Sequence, residues 1–105
     1  MTKSKRARSP IASKRFLVTG TVRIFLVENP WVYVDIPKKY TDETRHLADR
    51  GLVAVTVTLG KSKWHTSLMP KGDGTQFIPL SAKVRKAENV AVGDPIKLSF
   101  TLRQR

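Results

Sequence analysis

The feature that most constrains this chain is a spacing. An Ile-Pro pair at residues 36–37 returns at 78–79, an interval of 42 residues, and Gly51 returns as Gly93 at the same interval. Leu26 and Leu68 obey it too. A recurring period of this size marks a structural unit used twice. The whole sequence has 105 residues, enough for one domain. The two units must therefore share a core. A unit with one apolar sheet face cannot bury that face alone. Two such units about a pseudo-twofold axis would close a six-stranded barrel and remove most free strand edges.

Alternation and turn chemistry predict the elements. Val18, Val22, Ile24 and Leu26 share one register with Gly20, which predicts a strand starting near Arg15 or Phe16. Glu28, Asn29 and Pro30 supply a turn, and Val32, Val34 and Ile36 carry a second strand, so a hairpin is expected. Its expected register sets Val27 against Trp31, Phe25 against Tyr33 and Arg23 against Asp35. Thr41 as N-cap, Asp42 and Glu43 behind it, and the Arg50-Gly51 stop predict a helix over 41–50, with Tyr40, Thr44 and Leu47 inward. Val53, Val55, Val57 and Leu59 predict a third strand. The order then restarts: a strand over 64–69, a PKGDG turn, a strand over 75–80, a helix capped by Ser81 and ending near Glu88, and a last strand on Ile96, Leu98, Phe100 and Leu102. The last strands need one extra residue to align, Val53 with Ile96 and Leu59 with Leu102. The expectation is a mostly β protein of two tandem β-β-α-β repeats, about 16–60 and 61–103, with two short helices. Residues 1–14 lack hydrophobic periodicity and are expected to be a disordered basic arm before a single barrel domain over 15–105.

Charge points to a partner. Twenty Lys and Arg face eight Asp and Glu, a net charge of +12. Lys3, Lys5, Arg6, Arg8, Lys14 and Arg15 lie in the first fifteen residues, where there is no acid. Nucleic acid is the anionic partner expected in a cytoplasm; the bland alternative is an arm that serves only solubility. There is no cysteine, which excludes disulfides, thiolate chemistry and cysteine-ligated metals. No signal peptide and no membrane span are expected, since the apolar runs are short. A cytoplasmic monomer without a cofactor is the expectation.

Few residue sets suit catalysis. Ser67, His65 and Asp73 can be written as a triad, but no strained nucleophile turn or glycine-built oxyanion site accompanies them. His46, Asp42 and Asp49 fall on one predicted helix, where an Asp42–His46 pair is simpler than a metal site. The protein is thus expected not to be an enzyme. Two other groups are candidate sites. Phe25, Trp31 and Tyr33 share the outer face of the hairpin and form an interaction patch unless a helix or the arm covers them. On that face Arg23 is also expected to pair with Asp35. Trp64, Thr66 and Gln76 take core register in the second unit. There the polar pair must bond together, turn outward, or line a small ligand pocket with Trp64.

The segments WVYVDIP, KWHTSLMPKGDG and FIPLSAKVRKAENVAVGDPIKLSF resemble the prokaryotic "domain of unknown function 1905" family over about residues 16–102. The resemblance implies a double-split β-barrel and no known activity. Each half is also similar to one subunit of the dimeric AbrB and MazE transcription factors, through GTVR at 20–23 and through Ile78-Pro79 to Gly93-Asp94. This second resemblance implies a fused, single-chain version of such a dimer, with Arg23, Arg85 and Lys86 facing DNA. His65 stands where the second copy would repeat Arg23. Together, charge and resemblance predict nucleic-acid binding through phosphate contacts, with DNA the nearer expectation and little sequence preference. The arm, Arg23, Lys38, Lys39, Lys83, Arg85 and Lys86 would form the footprint. A protein-interaction module and a small-ligand barrel are the alternatives.

Overall fold

The computed structural model of the protein describes residues 14–103. Lys3, Lys5, Arg6 and Arg8, and the expected arm apart from Lys14, lie outside the described residues. The chain runs through β1 (Arg15–Thr21), β2 (Arg23–Phe25), β3 (Trp31–Ile36), α1 (Lys38–Thr44), a 3-10 turn (Arg45–Leu47), β4 (Val53–Leu59), β5 (Ser62–Pro70), β6 (Gln76–Pro79), α2 (Ala82–Glu88) and β7 (Pro95–Leu102). The fold is mostly β, as the alternation requires. No helix among the described residues is long and apolar enough to cross a membrane.

The seven strands form one curled sheet in the order β1-β7-β4-β5-β6-β3-β2. All its pairings are antiparallel. Six strands were expected, because 16–26 reads as one run. That run breaks at Val22, whose N–H donates to the Asp94 carbonyl at 2.9 Å and whose carbonyl accepts from Gly93 N–H at 2.8 Å. The segment must serve two neighbours: β1 pairs with β7, and β2 pairs with β3. The two ends of the sheet are thus joined by one residue of chain, which forces the sheet to curl. β5 has the same task without a break, pairing with β4 over Ser62–Leu68 and with β6 through Met69 and Pro70.

The pairings revise one expected equivalence. Leu26 does not take the place of Leu68: Leu26 is 88% exposed and Leu68 fully buried. Gly20 sits opposite Ile96 on β7 as Leu68 sits opposite Val53 on β4. The expected match of Leu26 with Leu68 at 42 residues therefore does not hold in the pairings. The first hairpin is longer than a turn over 28–30 implies. Its observed register is Arg23–Tyr33, Ile24–Val32 and Phe25–Trp31. That is two residues from the expected register, so facing is preserved while the loop lengthens.

The two helices differ from each other. α2 is as expected: Ser81 Oγ accepts from Val84 N–H at 3.2 Å, and Asn89 ends the helix in a left-handed conformation at φ 56°. α1 begins earlier than Thr41, after Pro37, whose fixed φ suits a helix start. Thr41 is then an interior residue, buried, with no hydrogen-bond partner for its Oγ1 among the described residues. Thr44 is buried and returns its hydroxyl to the Tyr40 carbonyl at 2.9 Å, whereas Leu47 stays 40% exposed. α1 lies against the edge of β1, where the Tyr40 hydroxyl donates to the Leu17 carbonyl at 2.9 Å. The core is the apolar face of the curl: Phe16, Val18, Val22, Val34, Val53, Val55, Val57, Leu68, Ile78 and Phe100 are at most 1% exposed. Phe16 stacks on Phe100 with centroids 4.7 Å apart.

Candidate functional site

Period-two alternation puts the other half of each strand outside, and cross-strand pairing lines those residues into rows. Arg15 lies opposite Thr101, Thr101 opposite Thr56, and Thr56 opposite His65. The next row is Leu17, Ser99, Thr58 and Lys63. Lys97, opposite Thr19, extends the face. None of the four strands β1, β7, β4 and β5 contains Asp or Glu. The side chains of Arg15, Lys63 and Lys97 are exposed and make no hydrogen bond or ion pair among the described residues. A groove of about 320 Å³ crosses this face, lined by Arg15, Thr56, Thr58, Lys63, His65, Ser99, Phe100 and Thr101. Cations among short hydroxyls, on strands that carry no acid, can hold phosphate oxygens; Glu88, from α2, accepts from the Ser62 hydroxyl at the start of β5.

A second groove, of about 410 Å³, opens where β5, the start of α2 and the start of β3 meet. Trp31, Trp64, His65, Thr66, Pro79, Ser81 and Arg85 are among its walls. Arg85 is held there by a hydrogen bond from its Nε to the Leu80 carbonyl at 3.0 Å. Of the expected Trp64–Thr66–Gln76 set, the structure brings the first two to this groove. Gln76 is instead 5% exposed in the core register beside Ile36, its Oε1 without a hydrogen-bond partner among the described residues.

The aromatic patch is closed largely by itself. Phe25 stacks on Tyr33 at 4.3 Å, and Phe77 meets Phe25, Tyr33 and Trp31 edge-on. The Lys71 ammonium lies 5.3 Å from the Tyr33 ring and 5.9 Å from the Phe25 ring, and 2.8 Å from Asp35 Oδ1. The expected cover was a helix or the arm; Phe77 and Lys71 supply it. Tyr33 is 4% exposed, while Trp31 remains 42% exposed. An apolar groove of about 480 Å³ runs beside it, between Phe25, Val27, Leu52, Met69 and Phe77. The hydrogen bond to Asp35 raises the Lys71 pKa, against the effect of burial.

The expected phosphate contacts divide into two groups. Lys14 pairs with Glu43, Arg23 with Asp35 and Lys38 with Asp42, at 2.7, 3.4 and 3.0 Å. Lys39 lies over the Tyr40 ring at 5.3 Å. Arg15, Lys83 and Lys86 have no side-chain partner among the described residues. Asp42 also pairs with Arg45, not with His46. Asp73 is occupied by Thr75, whose hydroxyl and N–H both donate to it and lower its pKa. His65 and Ser67 make no side-chain hydrogen bond among the described residues. No group of three or more His, Cys, Asp or Glu that could hold a metal gathers among the described residues. Sequence reasoning missed Lys63, Lys97 and the row hydroxyls. Their signal was the polar half of the alternation in VTVT and KLSFT.

The family described as Domain of unknown function (DUF1905) matches residues 19–100. No curated protein matches the chain.

Proposed function

The chain belongs to the DUF1905 family, whose description names no function, and we propose from its charge and sheet surface that it binds nucleic acid through phosphate contacts with little sequence preference, as a non-catalytic cytoplasmic monomer. The observation that carries the reading is the acid-free face of β1, β7, β4 and β5, with Arg15, Lys63 and Lys97 among serines and threonines. Charge supports it: the net charge is +12, and six of the excess cations precede Phe16. The contacts differ from those an AbrB-like chain would use, because Asp35 neutralises Arg23. A double-split barrel descended from a fused dimer is our reading of the fold. It is supported by the pairings, which map onto themselves when the halves are exchanged: β1–β7 with β5–β4, β2–β3 with β5–β6, and β3–β6 and β4–β7 each with itself.

The test is anisotropy of a labelled single-stranded and a labelled duplex oligonucleotide across a salt series. About six phosphate contacts predict a slope of log K against log salt of about −5. Replacing Arg15, Lys63 and Lys97 together by Ala should flatten the slope by about 2 to 3. Absence of binding at low salt, or an unchanged slope in the triple variant, would overturn the proposal. A protein-interaction reading is favoured separately by Leu26, Val27 and Trp31, which are 88%, 61% and 42% exposed, the last two lining the apolar groove. In that case Trp31→Ala abolishes partner capture and salt has little effect.

A further inference from the structure

We infer that the groove between β5, α2 and β3 is a binding site for one nucleotide unit, a planar base carrying a phosphate. Its walls offer the two things such a unit needs. Trp31, Trp64 and Pro79 are among its walls, and a base can stack on side chains of this kind. Arg85 and Ser81 supply fixed polar groups at the same wall. The Arg85 Nε bond to the Leu80 carbonyl orients the guanidinium. Its two Nη groups make no hydrogen bond or ion pair among the described residues and are left to grip an anion as a fork. Ser81 Oγ accepts from Val84 N–H, so its own proton is free to donate. A volume of about 410 Å³ lies within the roughly 300–1,000 Å³ usual for small-ligand sites.

The groove adjoins the acid-free face, because His65 lines both. A strand lying on the sheet could therefore present one unstacked nucleotide to the tryptophans. Free mononucleotide has the same chemistry and would occupy the groove alone. In the first case the inference rests on the nucleic-acid reading above; in the second it does not.

The chain has two tryptophans, and both line this groove. Intrinsic fluorescence therefore reports on it, and the Trp64 signal left in Trp31→Phe separates it from the apolar groove, which Trp31 also lines. The full chain is titrated to millimolar concentrations with adenosine, uridine, their 5′-monophosphates and inorganic phosphate, and separately with a single-stranded oligonucleotide. Monophosphates should quench saturably, nucleosides at least 5-fold more weakly, and inorganic phosphate should not quench. Arg85→Gln should weaken monophosphate binding about 10-fold or more, and Arg85→Lys should recover only part of it. Trp31→Phe should weaken it too without loss of fold, since Trp31 is 42% exposed. Circular dichroism of each variant excludes unfolding. If mononucleotide does not quench while the oligonucleotide still binds in a salt-dependent way, the groove inference falls and the face reading stands. If mononucleotide binds and the oligonucleotide does not, the face reading falls and the groove stands as a mononucleotide site. Equal binding by Arg85→Gln and wild type, with both folded, would overturn the assignment of the phosphate to Arg85.

Discussion

At the scale of single residues, Gly20 and Asp35 decide most. A Cβ built on Gly20 would stand 3.0 Å from Val34 Cγ2, so the close approach of β1 to β3 depends on hydrogen at that position. Gly20→Ala should destabilise by about 1 kcal/mol through overpacking. In a double-mutant cycle with Val34→Ala, part of that loss should disappear, by about 0.5 kcal/mol or more; urea denaturation measures both. Asp35 accepts from Lys71 and from Arg23, leaving Arg23 less able to meet a phosphate. Asp35→Asn should cost about 0.5–1 kcal/mol at neutral pH, as expected for half-exposed pairs. Lys71 has a raised pKa because of its hydrogen bond to Asp35. The pair's stabilisation is therefore complete below the ordinary lysine value and lost as pH rises through the raised one. The gap between wild type and Asp35→Asn should close in strongly alkaline solution. Asp73 runs the other way. Thr75 lowers its pKa, so its contribution is present above the ordinary carboxyl value and lost as pH falls through the lowered one. Denaturation midpoints of wild type and Asp73→Asn should therefore converge in acid.

At the scale of elements, local chemistry is enough for α2 and insufficient for α1. Ser81→Ala should remove about 1 kcal/mol, because the cap bond to Val84 N–H has no substitute among the described residues. The Thr41-Asp42-Glu43 run looks like a helix start, yet α1 begins at Lys38 and buries Thr41. The competing signal is Pro37, and tertiary packing adds the rest, since Tyr40 must reach the Leu17 carbonyl across 23 residues of sequence. Tyr40→Phe should cost about 1 kcal/mol, and hydrogen exchange at the β1 edge should speed up. The hairpin shows the same limit. Alternation identifies which residues face inward, but the loop length follows from how far β2 must reach to join β3, which no local pattern encodes.

At the scale of the molecule, cations divide by where the fold puts acids. Six of the eight acidic residues, Glu28, Asp35, Asp42, Glu43, Asp49 and Asp73, precede β4 or sit in the 71–75 turn, and the four strands of the polar face hold none. Phosphate affinity should therefore depend on two independent parts, the basic residues 1–14 and the sheet face. Deleting residues 1–14 should flatten the salt slope, and the Arg15, Lys63 and Lys97 substitutions should flatten it further by a similar amount. Unchanged affinity on deletion would remove the arm from the reading, and anisotropy separates the two contributions.

From the amino acids alone came the strand and helix order, the inward faces of β3, β4 and β7, the cap of α2, and the excess of positive charge. Those properties follow from neighbours in sequence, through alternation, turn residues and capping groups. Only the tertiary structure decided that the first run splits at Val22, that Leu26 stays exposed while Gly20 pairs with Ile96, and that Phe77 and Lys71 cover the aromatic patch. It also decided which cations meet an acid. These outcomes depend on which distant strands become neighbours, and a spacing of 42 residues cannot specify that, because the sheet must return to its own beginning through pairings that no local pattern encodes.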